Sequence, residues 1–359
     1  MLYENDHKYF MAKVLDLAIS KKGFVSPNPY VACLLVSNGQ VIGTGLHNGA
    51  GSSHAELDAL LKLPKCFDRS KIILYVNLEP CCHFDKRTPP CAQLLIREGI
   101  TNVVIGCLDP NIKVSGNGVK LLRNNNIDVT TGVLEDECKK INKIFFKNML
   151  KGLPYFEGKI ACSLDGKIAL ENGSSKWITS SKSRKRCHED RVLYDAILVG
   201  KNTFFTDRPK LNSRDKDKVI KENKKIIIGN YLDIIDSIGD YNPNNIIIIS
   251  QSSVQDSASI MNHNGIRILF FKDKIEEVFN QLLSIGICSV YVEGGGKTFS
   301  YFLKKKIFDE ISIYKSPKIL GKGKSFSDQF RVNNISESLH LKNIEYKILG
   351  EDILLKGYL

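Results

Sequence analysis

Lys71-Ile72-Ile73-Leu74-Tyr75-Val76-Asn77-Leu78 runs straight into Glu79-Pro80-Cys81, with His54-Ala55-Glu56 upstream and Thr88-Pro89-Pro90-Cys91 downstream. The apolar run Ile72–Val76 within this stretch reads as a buried strand. Gly51-Ser52-Ser53 supplies a loop and a cap before Ala55–Leu61, so His54 and Glu56 fall in the first turn of a helix. Pro89 and Pro90 suit the start of a second helix at Cys91. One imidazole, two thiols and one carboxylate are therefore expected at a strand end and two helix starts. Helix N-termini favour the charged form of a thiolate.

His54, Cys81 and Cys91 make a three-ligand zinc set that leaves the fourth tetrahedral position to water, whose pKa the metal lowers towards neutrality. Glu56 is then placed to carry protons. His-x-Glu followed by Pro-Cys and a second Cys is the layout of a zinc deaminase. Two other uses of these residues are open. Cysteines are often small core hydrophobes. A closed structural site would need a fourth protein ligand, which Cys82 or His83 could supply.

The chain has 359 residues, about two domains. Its apolar fraction of 43% and charged fraction of 25% are those of an ordinary soluble globular protein. No apolar run reaches membrane-spanning length, and Met1–Lys8 lacks the layout of a signal peptide. Ten cysteines in a chain this long do not form a disulfide scaffold, so the cytoplasm is the expected compartment. The net charge of +12 raises the question of a nucleic-acid partner. Residues 1–150 carry 18 Lys and Arg against 14 Asp and Glu, and the remainder 33 against 25. The zinc half is only mildly basic and its lysines are scattered, while Lys304-Lys305-Lys306 reads as a solvated face. Neither nucleic acid nor membrane is expected as partner.

Helix and strand alternate along the first half: an amphipathic helix over Asp6–Ser20, strands at Val31–Val36 and Val41–Leu46, the zinc helix, the strand to Leu78 and a helix over Cys91–Arg97. Strand Asn102–Gly106, a helix over Gly118–Asn124 and one long helix over Leu134–Leu150 follow. This predicts a mixed sheet covered by helices. Lys151-Gly152-Leu153-Pro154 breaks the pattern, giving domains at 1–150 and 151–359. The second half repeats buried strands at Tyr155–Cys162, Ala196–Gly200, Lys225–Gly229, Asn245–Ser250 and Ile266–Phe271. The strand Ser289–Glu293 leads into Gly294-Gly295-Gly296-Lys297-Thr298, a glycine turn at a helix start, where backbone amides can cradle phosphate.

Over nearly its full length the chain resembles the bifunctional deaminase/reductase family of riboflavin biosynthesis. The motifs that carry the resemblance in the first half are Pro27-Asn28-Pro29, His54-Ala55-Glu56, Leu78–His83 with Thr88–Cys91, and Asp109-Pro110-Asn111. In the second half they are Ser163–Lys167, Ser175–Thr179, Val292–Gly295 and Pro317–Gly321. The resemblance implies an N-terminal cytidine-deaminase-like three-layer α/β/α sandwich and a C-terminal dihydrofolate-reductase-like α/β domain. It implies zinc-dependent deamination of 2,5-diamino-6-ribosylamino-4(3H)-pyrimidinone 5′-phosphate, then NADPH-dependent reduction of its ribosyl to a ribityl chain, in a homo-oligomer. His54, Cys81 and Cys91 would bind Zn2+, Glu56 would move protons and Asn28 would orient the pyrimidine. Ser175, Arg191, Leu211, Arg214 and Glu293 match substrate positions, the arginines suiting a phosphate. Ala161, Trp177, Thr203, Asp207, Asn230, Gly295, Gly296, Lys297, Thr298, Phe299, Ser300 and Tyr301 match NADPH positions. Trp177 is the single tryptophan, and a buried core ring is the other use for it.

The chain also departs from the family pattern. The stretch from Cys81 to Cys91 is one residue longer, so either Cys81 or Cys82 can be the ligand, Cys81 being the expected one. Ala32 stands where the family has Gly, Ile112 where it has a second Pro, Asn117 where it has a basic residue, and Asn230 where it often has Ser. A tRNA base deaminase would carry Pro-Cys-x-x-Cys, whereas nine residues separate Cys81 from Cys91. A structural zinc module joined to a nucleotide-binding regulatory domain would need the closed site.

Overall fold

The computed structural model describes residues 4–64, 67–82, 90–112, 114–252 and 259–359. His83, Thr88 and Pro89 lie outside the described residues. The chain forms two compact units, Met1–Gly152 and Leu153–Leu359. Among the described residues no helix is long and apolar enough to cross a membrane.

The first unit runs α1 (Glu4–Ile19), β1 (Ala32–Ser37), β2 (Gln40–Leu46), α2 (Ala55–Leu61), β3 (Ile73–Leu78), α3 (Cys91–Arg97), β4 (Asn102–Cys107), α4 (Asn117–Arg123), β5 (Asp128–Thr131), α5 (Glu135–Ile141) and α6 (Lys143–Lys151). The sheet order is β2-β1-β3-β4-β5, antiparallel across β2-β1-β3 and parallel across β3-β4-β5. Successive strand residues point to opposite faces, and both faces are apolar. Cys33, Leu35, Leu74, Val76, Val103 and Ile105 pack with α2, α3 and α4. Ala32, Leu34, Tyr75, Leu78, Val104 and Cys107 pack with α1 and α5. That alternation makes three layers, helices over sheet over helices.

The single long helix expected over Leu134–Leu150 is two. Asn142, between α5 and α6, is buried with φ −104° and ψ 16°. Its Oδ1 accepts from Tyr30 N at 2.7 Å and its Nδ2 donates to Tyr30 O at 3.1 Å. The asparagine side chain serves a distant loop, and the helix breaks to let it reach.

The second unit runs β6 (Tyr155–Cys162), β7 (Lys167–Leu170), α7 (Ser181–Arg191), β8 (Ala196–Gly200), α8 (Lys201–Asp207), β9 (Ser213–Asp215), β10 (Lys218–Lys221), β11 (Lys224–Ile228), α9 (Tyr231–Ile235), β12 (Ile246–Gln251), β13 (Ile260–His263) and β14 (Ile266–Phe271). It continues through α10 (Phe279–Ser284), β15 (Ser289–Val292), α11 (Gly296–Lys304), β16 (Glu310–Lys315), β17 (Gly323–Ser325), β18 (Lys342–Leu349) and β19 (Asp352–Tyr358). Ten strands form one sheet in the order β13-β14-β12-β11-β8-β15-β6-β16-β19-β18. The seven from β14 to β16 are parallel, with antiparallel strands at both ends.

Part of this sheet buries charge. Glu157 on β6 lies opposite Glu310 on β16, and the two are 0% and 2% exposed. Lys356 on β19 reaches both: its Nζ is 3.0 and 2.9 Å from the Glu157 oxygens and 3.5 Å from Glu310 Oε1. Ser312 and Tyr194 also donate to Glu157, and Tyr155 donates to Glu310 at 3.0 Å. Removing one partner of a buried ion pair costs about 3–5 kcal/mol. Lys356→Met is therefore expected to destabilise the second unit by about that much in urea unfolding. A loss under about 1 kcal/mol would show that the network does not hold the sheet together.

Candidate functional site

In the first unit the sheet delivers the chemistry at its carboxyl end. Backbone pairing of β3 with β4 continues past Leu78, where Glu79 N donates to Cys107 O at 3.0 Å, and Cys81 follows. The start of α2 lies close to β2, because a Cβ on Gly45 would sit 1.9 Å from Ala55 O and 2.5 Å from Ala59 N. A side chain at position 45 would push His54 and Glu56 away. The α3 start is tied to the β3 end: Ala92 N donates to Cys81 O at 3.0 Å, and Cys91 N to Cys81 Sγ at 3.4 Å.

His54 Nδ1 is 3.2 Å from Cys91 Sγ and 3.6 Å from Cys81 Sγ. The three ligand atoms all lie within 4.8 Å of one another. Around a tetrahedral zinc, donor atoms at ordinary Zn–N and Zn–S lengths stand about 3.5–3.8 Å apart, so this set fits the ion. The group found is His54, Cys81 and Cys91, without Cys82. The longer stretch before Cys91 therefore does not move the second cysteine into the cluster.

Glu56 is only 3% exposed. Burial, with the Cys81 sulfur adding to it, pushes its carboxyl above the usual range. The Cys91 thiol is pushed up by its hydrogen bond to Cys81, by burial and by Glu56. Two thiols and a carboxyl crowd one dry place, and a dication is the group that would let them ionise together.

Other neighbours of this site, Glu79 of the Leu78–His83 motif among them, have roles that residue spacing does not announce. His47 is buried, its ring centroid 5.5 Å from that of His54 and its Nδ1 3.1 Å from Ser53 O. Asn77 on β3 donates to Tyr30 O at 2.8 Å and accepts from Ala32 N at 2.9 Å. With Asn142 it fixes the loop that carries half-buried Asn28. Glu79 is buried and accepts backbone N–H groups from Asp109, Gly116 and Val119 at 3.2, 2.9 and 3.1 Å. It anchors the loop after β4 two residues from Cys81. A Cβ on Gly118 would lie 2.3 Å from Pro80 O, so the loop packs directly on the strand end.

In the second unit two groups of expected residues meet at the carboxyl ends of parallel strands, where open α/β sheets bind ligands. The first is built on an ion pair. Arg191 Nε donates to Glu293 Oε1 at 2.6 Å and Nη2 to Oε2 at 2.8 Å, while Nη1 donates to Asn212 O at 2.9 Å. Arg214 Nη1 donates to Asn212 Oδ1 at 3.1 Å. Burial pulls the Glu293 carboxyl up, but the charge and hydrogen bonds of Arg191, with Lys159 behind them, hold it down at about 2. Leu211 is 1% exposed with φ +46°, so only its backbone can face a ligand.

The second group lies where β8 and β15 end side by side. Gly295 N donates to Thr203 Oγ1 at 3.2 Å, and a Cβ on Gly200 would lie 2.3 Å from Thr298 Oγ1. Asp207 at the end of α8 meets Lys176 at 3.7 Å. Trp177 is 62% exposed and stacked 4.4 Å under the Arg184 guanidinium, so it is not a core ring. Ala161 is half-buried on β6 and Ser175 is exposed. Asn230 caps α9, its Oδ1 accepting from Leu232 N at 2.9 Å. Gly296 opens α11; on it Lys297 is exposed and Tyr301 half-buried. The Phe299 and Ser300 side chains are buried, Phe299 in the core and Ser300 donating to Phe326 O at 2.9 Å. Those two can offer a cofactor only their backbone.

Residues 154–355 match the family described as the RibD C-terminal domain, and residues 4–107 match the cytidine and deoxycytidylate deaminase zinc-binding region. The riboflavin biosynthesis protein RibD of Aquifex aeolicus is 38% identical, covering 99% of both chains. That of Escherichia coli is 31% identical over 97% of this chain and 98% of its own. Among solved structures, a diaminohydroxyphosphoribosylaminopyrimidine deaminase/5-amino-6-(5-phosphoribosylamino)uracil reductase from Thermotoga maritima is similar with a TM-score of 0.86, at 33% identity over 99% of each chain. Acinetobacter baumannii RibD is similar at 0.84 and 30% identity over the same share of each. Both units are matched in sequence and in fold, and the chain belongs to the RibD family of bifunctional deaminase/reductases of riboflavin biosynthesis.

Proposed function

We propose that residues 1–150 remove the 2-amino group of 2,5-diamino-6-ribosylamino-4(3H)-pyrimidinone 5′-phosphate by hydrolysis, and that residues 151–359 then reduce the opened ribosyl group to ribityl. The observation that carries this reading is the His54, Cys81 and Cys91 cluster with Glu56 buried beside it. In the first step water and the amino compound become the oxo compound and ammonia. In the second, NADPH and a proton become NADP+, and two hydrogens are added to the sugar.

His54, Cys81 and Cys91 would hold one zinc ion, which when bound supplies the Lewis acidity that makes water nucleophilic at neutral pH. Glu56, kept from solvent, takes the proton of the attacking water and returns it to the departing amine. Asn28 would orient the pyrimidine from its anchored loop. In the second unit Arg191, Arg214 and Glu293, with Ser175 and the Leu211 backbone, would bind the phosphorylated sugar. Ala161, Trp177, Thr203, Asp207, Asn230 and the Gly295–Tyr301 turn would receive NADPH, which when bound supplies the reducing equivalents. The substrate is small, with no nucleic acid or membrane as partner. A homo-oligomer in the cytoplasm is the assembly and compartment that the family resemblance implies.

Mass spectrometry of the products separates the two steps. Without NADPH the pyrimidine exchanges its amino group for oxygen; with NADPH the product gains two further hydrogens. Absence of the first change in zinc-loaded protein would overturn the deaminase reading, and absence of the second the reductase reading. Chelating the metal is expected to abolish deamination and leave reduction of already deaminated substrate intact. Glu56→Gln is expected to lower deaminase kcat by about 10²–10⁴-fold with zinc content unchanged. Cys81→Ser should lose zinc where Cys82→Ser keeps it; the reverse, measured by metal analysis, would assign the ligand to Cys82.

A further inference from the structure

The Arg191 guanidinium has a further partner that the proposed chemistry leaves unused. Its Nη1 lies 3.3 Å from His188 Nδ1, one turn back on α7. The same nitrogen donates to Asn212 O, while Nε and Nη2 grip Glu293. Arg191 is 11% exposed. Four acceptors on three segments therefore fix one planar group: a helix, the turn before β9 and the end of β15.

Both ring nitrogens of a protonated imidazole are donors, so Nδ1 can accept from Arg191 only if the ring is neutral, with its proton on Nε2. Its charged surroundings favour the neutral ring: Arg191 on α7 and Arg214 on β9 face it as cations, while Glu293 after β15, already engaged by Arg191, and the Asn212 backbone carbonyl, to which the ring can donate, act the other way. Burial, then the two arginine charges, hold the imidazole down at about 4. A carboxylate at this position would draw Arg191 away from Glu293, and an ammonium would repel it. A neutral acceptor satisfies the fourth contact without either effect.

We propose that His188 is a positioning residue of the reductase site: its neutral imidazole holds the Arg191 guanidinium in the orientation that grips Glu293 and so presets both groups for the phosphorylated sugar. The inference rests on the reductase reading for its consequence and on the hydrogen bond for its cause, and each has its own readout. For the cause, histidine ¹⁵N NMR of the full chain at neutral pH should show His188 as the Nε2–H tautomer and shift in Arg191→Lys. An Nδ1–H tautomer or an imidazolium would overturn the proposal whether or not the enzyme reduces its substrate.

For the consequence, His188→Leu should lower reductase kcat/KM by about 10–100-fold, the scale of a lost hydrogen bond to a charged group. The loss should fall mainly on KM, with NADPH affinity and the deaminase step unchanged. His188→Gln, whose amide oxygen can accept from Arg191, should recover to within a few-fold of the parent. Equal losses in the Leu and Gln variants, no loss in the Leu variant, or a parallel loss of NADPH binding would overturn it. An inactive parent with the expected tautomer would instead count against the reductase reading.

Discussion

The Cys91 thiol and the Glu56 carboxyl both resist ionisation, and with Cys81 they are packed against one imidazole at the end of β3. Without a cation each charge would raise the cost of the next, because the site is dry. With a dication the same crowding becomes affinity. Much of the first unit can be read as a means of holding these four side chains in place. Gly45 clears room for the α2 start, the Cys81 carbonyl accepts from Ala92, and Glu79 ties the loop after β4 to the strand that carries Cys81.

The second unit solves a related problem without a metal. Glu293, only 11% exposed, stays charged because Arg191 meets it with two parallel hydrogen bonds, and Arg191 is itself held from two other sides. Such an arrangement costs desolvation, and its value lies in geometry: two polar groups are fixed before a substrate arrives, so less ordering remains for binding. Lower in the same sheet, Glu157, Glu310 and Lys356 form a second buried charged group that joins β6, β16 and β19. Strand order is thereby tied to charge pairing as well as to apolar packing.

The parallel strands were legible because both of their faces are buried. Ala196–Gly200 is a continuous apolar run and Ile266–Phe271 is apolar but for Arg267, and both form strands with those bounds. Asp128–Thr131, Asp-Val-Thr-Thr, is a strand with one buried residue at a sheet edge, and nothing in its pattern announces it. Strand β18 is likewise an edge, with mostly exposed residues. The break at Asn142 was hidden because its cause, Tyr30, lies 112 positions away. For the site, residue type and spacing pointed to His54, Glu56, Cys81 and Cys91, but spacing alone left Cys81 and Cys82 as alternatives. The roles of His47, Asn77, Glu79 and His188 were missed for a common reason: each acts through contacts that exist only once the chain is folded.

X-ray absorption at the zinc edge of the metal-loaded full chain asks whether this is an open hydrolytic site. Two sulfur neighbours at about 2.3 Å, the ring scattering of a single imidazole and one further oxygen at about 2.0–2.1 Å would show two cysteines and one histidine with a place left for water. Three sulfurs, or the ring scattering of a second imidazole such as His83, would mean a closed structural centre and would contradict the hydrolytic role assigned to Glu56.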